Sequence, residues 1–269
     1  HRQGIGTDLG NLGAVWMRIG KYEKAIPLLK QAIEIAEEVE NLPSLAINES
    51  RLATILIHKG EGEAAARGLE RARAAAADGG GSRQRLEILL AGARLQLHQG
   101  APDEAVGELD RALEVASKAG AGNSVIECLG LRAEALIDSN ALEEADKVSL
   151  EAVSLLEEYP GWLDCSQEVW FTRHRALTAL HSSGLKSGDP DAALRRAYIL
   201  LREKADAFED PDLRSAFIES LPRHREIDRA HAGLLTRMRE EGGARERSFY
   251  EIAKSLHSIV DLDPLLDHL

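Results

Sequence analysis

A chain of 269 residues, 44% hydrophobic and 29% charged, has the composition of a folded protein with room for one extended array plus a small addition. Aromatic residues make up only 4%, and Ala and Leu dominate, which suits closely packed helices and excludes a β fold built on Val, Ile, Thr and Tyr. The formal net charge of -12 excludes a general nucleic-acid binder, whose phosphate contacts need a basic face.

The sequence has no run of about 18 apolar residues and no signal peptide, so the expectation is no membrane association and a cytoplasmic location. Cys128 and Cys165 are not at metal-ligand spacing and read as small hydrophobes in a reducing compartment. The opening His1 to Asp8 looks like a joint between repeats, so the sequence is expected to be a piece of a larger protein.

Residues 11–32 set a pattern that recurs three more times along the chain. Gly13, Ala53, Ala93 and Ala133 fall forty residues apart, as do Gly20, Gly60, Gly100 and Asn140. The same spacing links Ala25, Ala65, Ala105 and Ala145, then Ala32, Ala72, Ala112 and Ala152. A period of this length predicts stacked helical hairpins. The small residues stand where helices approach too closely for a Leu, and the Gly/Asn column marks a left-handed turn after each first helix. Leu12, Trp16, Ile26, Leu29, Leu52, Leu56 and Leu69 are the expected core.

In chain order the hairpins are placed at 6–41, 45–77, 83–118, 123–159 and 163–208. Pro43 starts a helix. The run from Asp78 through Gly79 to Ser82 separates the second and third hairpins, and Ala101-Pro102-Asp103 opens a helix in the third. Tyr159-Pro160-Gly161 closes the fourth. In the fifth, the first helix carries Trp170, Phe171, Ala176 and Leu180, and an insertion from Gly184 to Gly188, including Lys186, lengthens the turn before an Asp189-Pro190 cap. Residues 209–240 are expected to be capping helices, with Leu213, Phe217, Ile218 and Leu221 closing the last repeat. Gly242 and Gly243 are expected to interrupt the helix. Beyond them, at 241–269, lies a linker helix in which Phe249, Ile252, Leu256 and Ile259 form a short coiled-coil-like seam, a surface through which a homodimer could form.

Leu12-Gly13, Trp16, Gly20, Tyr22, Ala25, Leu29 and Ala32 follow in the order of the tetratricopeptide repeat family, which the chain resembles over about residues 5 to 208. Its forty-residue spacing exceeds the family's basic period of about 34 and is similar to the longer variant in bacterial signalling proteins and kinesin light chains. The resemblance implies an all-α, right-handed α-solenoid of about five hairpins with C-terminal capping and linker helices. The phrase FIESLPRHREI resembles the tail that follows such arrays in bacterial multidomain regulators. The last nineteen residues, EIAKSLHSIVDLDPLLDHL, resemble the linker and first helix of a GAF sensor domain, with Asp261 or Asp263 as its N-cap and Pro264 at the first helical position.

No catalytic constellation, metal site or cofactor site emerges from the spacing. The Gly-rich run lacks the Gly-Lys-Ser/Thr ending of a phosphate loop. His174 and His181, like His224 and His231, are too far apart on a helix to share a metal ion, and paired carboxylates such as Glu143-Glu144 point in different directions. By the resemblance, the first helix of each hairpin lines a concave groove. That places Asn48, Arg51, Thr54, His58, Glu87, Arg94, His98, Glu127, Glu134 and Asp138 on a candidate protein- or peptide-binding wall. The family's carboxylate clamp maps onto Gly10, Ala14, Arg51, Glu87 and Ala91, of which only Arg51 suits it.

The implied function is a non-enzymatic protein-interaction and signal-relay scaffold in a larger cytoplasmic bacterial regulator. Its partners would be a protein or peptide and the flanking domains of the same polypeptide. The alternative is a peptide-pheromone-type receptor module regulating transcription.

Overall fold

The computed structural model describes residues 1–77, 80–158, 165–185 and 187–259, with the side chains of 243–259 outside the description. The expectations for Asp78, Gly79, Tyr159, Pro160, Gly161, Leu163, Lys186, Asp261, Asp263 and Pro264, and for the Phe249, Ile252, Leu256 and Ile259 side chains, lie outside the described residues. Two compact units are distinguished, His1–Asp228 and Arg229–Leu269.

The first unit is an all-α solenoid. Its hairpins pair α1 (Arg2–Ile19) with α2 (Tyr22–Glu38), α3 (Leu42–His58) with α4 (Gly62–Ala76), α5 (Ser82–His98) with α6 (Pro102–Lys118), α7 (Gly122–Asp138) with α8 (Leu142–Glu158), and α9 (Ser166–Ser182) with α10 (Pro190–Asp206). The odd-numbered helices pack on one another in sequence, α1 on α3, α3 on α5, α5 on α7 and α7 on α9, and so form one continuous inner layer. A short α11 (Pro211–Glu219) comes next, then α12 (Pro222–Ile259).

The turn column is where backbone chemistry dictates the repeat. Gly20, Gly60, Gly100, Asn140 and Gly184 have φ of 85°, 79°, 72°, 61° and 85°. Each left-handed residue lets the next amide fold back onto the last helical turn, from Lys21 to Trp16, Glu61 to Leu56, Ala101 to Gln96, Ala141 to Leu136 and Leu185 to Leu180. Orphan carbonyls are thereby satisfied and the second helix is aimed antiparallel to the first. Starts are equally local. Asn41 accepts a hydrogen bond from the Ser44 amide, Asp189 from those of Asp191 and Ala192, and Asp210 from that of Asp212. Prolines stand after these caps at the first or second position.

The small columns are the points of closest approach. Ala25, Ala65, Ala105 and Ala145, and Ala32, Ala72, Ala112 and Ala152, are completely buried, as are Leu29, Leu69 and Leu109 between them. Each of those leucines contributes about 1.5–3 kcal/mol by burial. A Cβ at Gly13 would lie 2.8 Å from Leu29 Cγ, so the first hairpin closes only around glycine. Leu12, expected in the core, is instead 46% exposed beside Ile5 and Val15. It lies on a face of α1 that neither α2 nor α3 covers.

One further expectation is corrected. Gly242 and Gly243 do not interrupt the chain, because α12 continues through both. Glycine weakens a helix by about 1 kcal/mol without forbidding it, and strong helix formers flank the pair. Helix α11 packs on α10 and also on α1. The end of the array is thus tied back to its first hairpin.

Candidate functional site

The inner layer places the predicted wall residues along its first helices, where several form a ladder between neighbours. Arg51 on α3 faces Glu87 on α5 at 3.8 Å, and Arg94 on α5 meets Glu127 on α7 at 2.5 Å. Arg175 on α9 reaches Glu134 at 3.3 Å and Asp138 at 3.0 Å on α7. Sequence spacing nominated one side of the last rung and missed Arg175, because the fifth hairpin is four residues out of step: α7 starts at Gly122 and α9 at Ser166.

Two of the predicted residues are turned into a helix contact. Asn48 and Arg51 are buried at the α1–α3 contact and do not present a free wall. Asn48 Nδ2 donates to Ser44 Oγ, and a Cβ on Gly10 would lie 2.5 Å from Asn48 Oδ1. Arg51 Nη1 donates to the Gly10 carbonyl at 3.1 Å. Thr54 spends its hydroxyl on the Ser50 carbonyl.

His58 and His98 occupy the same column but differ in setting. His58 Nδ1 lies 2.7 Å from the Tyr22 hydroxyl at the start of α2. Forty residues on, the tyrosine's place is taken by Gly62, on which a Cβ would lie 3.3 Å from the His98 ring, and His98 is exposed. Burial, with Arg94 adding to it, pushes His58 down to about 4, and burial raises Tyr22 above its ordinary value. Both groups therefore stay neutral at neutral pH.

What sequence spacing did not reveal is that the chain's own segment 208–228 sits on this inner face. The Arg223 guanidinium pairs with Glu134 of α7 and lies 5.8 Å over the Phe171 ring of α9. His224 is 1% exposed, with Nδ1 2.6 Å from the Phe217 carbonyl and Nε2 2.7 Å from Gln167 Nε2. Because a carbonyl only accepts, Nδ1 carries the hydrogen. Gln167 turns its oxygen to Lys204 Nζ at 2.7 Å and its NH₂ to the ring. Ile227 is fully buried and Phe217 stacks edge-on against His224 at 4.4 Å. The only early hint was the phrase FIESLPRHREI, whose Arg223 pairs with a residue 89 positions away in sequence.

The charges around this centre are mutually arranged. Burial of Glu168 opposes ionisation, but the neighbouring His224 and the Arg94 guanidinium outweigh it and hold the carboxyl below its usual range. Burial raises the thiols instead, Cys128 to about 12 and Cys165 well above its ordinary value. A raised thiol pKa disfavours the nucleophilic thiolate, and the lowered His58 is already bonded to Tyr22. None of these shifts activates a nucleophile.

With the geometry in place, the likenesses are specific to fold. The tetratricopeptide repeat family profile matches residues 9–43. Among solved structures, the TPR-like repeats of a putative kinesin light chain from Podosopora anserina align at 18% identity and TM-score 0.55, covering 77% of this chain and 98% of that one. The apo form of RapI aligns at 12% identity and TM-score 0.57, covering 96% and 92%. A Rap protein complexed with Competence and Sporulation Factor aligns at 17% identity and TM-score 0.53, covering 84% and 75%. No curated protein matches the chain. These findings show a helical-repeat solenoid fold, with a tetratricopeptide-repeat match in its first hairpin. No helix among the described residues is long and apolar enough to cross a membrane.

Proposed function

We propose that this chain is a non-catalytic protein-interaction and signal-relay module whose working surface is the inner layer formed by α1, α3, α5, α7 and α9. The observation that carries the reading is that a helical segment, 208–228, already makes side-chain-specific contacts there through Arg223 and His224. A face that holds one helix through charge, hydrogen bond and apolar burial has the chemistry to hold another. The array at 1–208, the capping segment 209–240 and the linker 241–269 would belong to a larger cytoplasmic bacterial regulator with a GAF-type domain after the linker. A homodimer through α12 is compatible with this arrangement.

The test is selection of binders from a displayed peptide library, with substitution on each face. Arg94→Ala and Glu127→Ala on the inner face are expected to weaken the selected binders at least tenfold, while Glu37→Ala and Arg71→Ala on the second helices leave them unchanged. The reverse pattern would contradict the reading.

The likeness to a Rap protein crystallised with Competence and Sporulation Factor supports a second reading, a small-peptide receptor regulating transcription. Asn48, which a peptide-binding wall would use, is buried behind Gly10. Calorimetry with short unstructured peptides separates the two: heat and saturation with them favour the receptor, and their absence with helical binders favours the scaffold.

A further inference from the structure

The contacts of segment 208–228 describe a recognition pattern as well as an occupied surface. Its basic side chains meet acidic and polar ones: Arg223 on Glu134, His224 beside Gln167 and 3.4 Å from Glu168. Its apolar side chains are the ones withdrawn from water, with Phe217, Ile218, Leu221 and Ile227 all buried. The segment is not held at one point only. A Cβ on Gly20 of the first hairpin would lie 2.8 Å from Ser220 Cβ and 2.9 Å from the Ala216 carbonyl, so the segment also bears on the first turn.

In a chain whose net charge is -12, Arg223 and Arg225 concentrate positive charge on either side of His224, and Arg223 is set against the Glu134 carboxylate. Its anchors are side chains at the opening of a helix, after a proline and behind an aromatic residue.

We propose that the inner face of α7 and α9 is a receptor for a helix that opens with an Arg-His pair, the histidine ring backed by an aromatic residue seven positions earlier in the preceding segment. Residues 208–228 fill this receptor in cis. An incoming partner presenting the same side chains must displace them, so the segment acts as a competitor that sets the threshold for partner binding. The inference rests on the inner-face reading and deepens it by naming the partner's chemistry. The receptor residues are Glu134, Gln167, Glu168 and Phe171. Displacing the segment also frees the first hairpin at Gly20, giving the binding event a consequence at the far end of the array.

The probe is a fluorescein-labelled synthetic peptide of residues 208–228, titrated into the full chain and monitored by polarisation. Arg223→Glu in the chain sets like charge against Glu134 and lifts the cis segment while leaving the receptor wall intact. The peptide is expected to bind this variant at least tenfold more tightly than the unaltered chain, and a peptide carrying Arg223→Glu is expected to bind neither. Equal affinity for the two chains, with native circular dichroism for both, would overturn the proposal, as would concentration-dependent dimerisation of the variant by exchange of its own segment.

If the variant fails to fold, the unaltered chain decides. Saturating peptide is expected to speed hydrogen exchange within 208–228, and unchanged exchange overturns the proposal. Should the peptide fail while displayed binders still depend on Arg94 and Glu127, the inner-face reading stands and the cis-competitor inference alone falls.

Discussion

Tyr22 and His58, at the junction of the first two hairpins, share a hydrogen bond of 2.7 Å between hydroxyl and Nδ1, with ring centroids 5.9 Å apart. The pair buries a histidine without a charge partner. Its folded value of about 4 lies below the ordinary 6.5, so the unfolded chain takes up the proton first as pH falls. The stability held by neutral His58 is complete above about 6.5 and is lost as pH drops toward about 4. Urea midpoints measured across that window should fall less steeply for His58→Gln than for the unaltered chain. Parallel slopes would contradict the assignment.

Gly20 and Gly60 share a left-handed backbone, φ 85° and 79°, but differ in surroundings. Nothing lies within 4 Å of a Cβ on Gly60, whereas one on Gly20 meets Ser220 and Ala216. Gly60→Ala should destabilise by about 1 kcal/mol from backbone strain alone. Gly20→Ala should add about 1–3 kcal/mol from the clash and selectively loosen 208–228. Thermal melts and hydrogen exchange measure the two effects, and equal losses would remove α11 from the first turn.

Ala65 and Ala105 are completely buried at the notch between paired helices. Ala65→Leu and Ala105→Leu should each destabilise by about 1–3 kcal/mol through overpacking. An unchanged denaturation midpoint would mean that the notches do not face one another.

Cys128 and Cys165 carry thiols raised by burial. Cys128, completely buried, should not react with a thiol-specific disulfide reagent in the native chain and should react on addition of denaturant. Rapid labelling of Cys128 in native buffer would contradict its enclosure.

The solenoid was legible because its determinants are local and repeated. A glycine or asparagine at each first-helix stop and alanines at fixed spacing leave the backbone few alternatives, and the turns at Gly20, Gly60, Gly100 and Asn140 fold as their spacing implies. The candidate wall was legible only in part. Arg94, Glu127, Glu134 and Asp138 lie where the first-helix columns put them, but periodicity carries no information about what faces a column from outside the repeat. Arg175, shifted by the out-of-step fifth hairpin, and Arg223 and His224, contributed by a non-repeating segment, therefore escaped. Leu12 failed for a related reason: the repeat pattern marks it as apolar but does not say what covers it, and it is 46% exposed among the described residues.

The central claim is that 208–228 rests on the inner face of the array. Hydrogen exchange of the full chain, resolved at the amides of 216–227, tests it most directly. Protection comparable to that of α7 and α9, dropping in Arg223→Glu while those helices keep theirs, is the predicted result. Exchange as fast as in the isolated 208–228 peptide would show the segment free in solution and contradict the account.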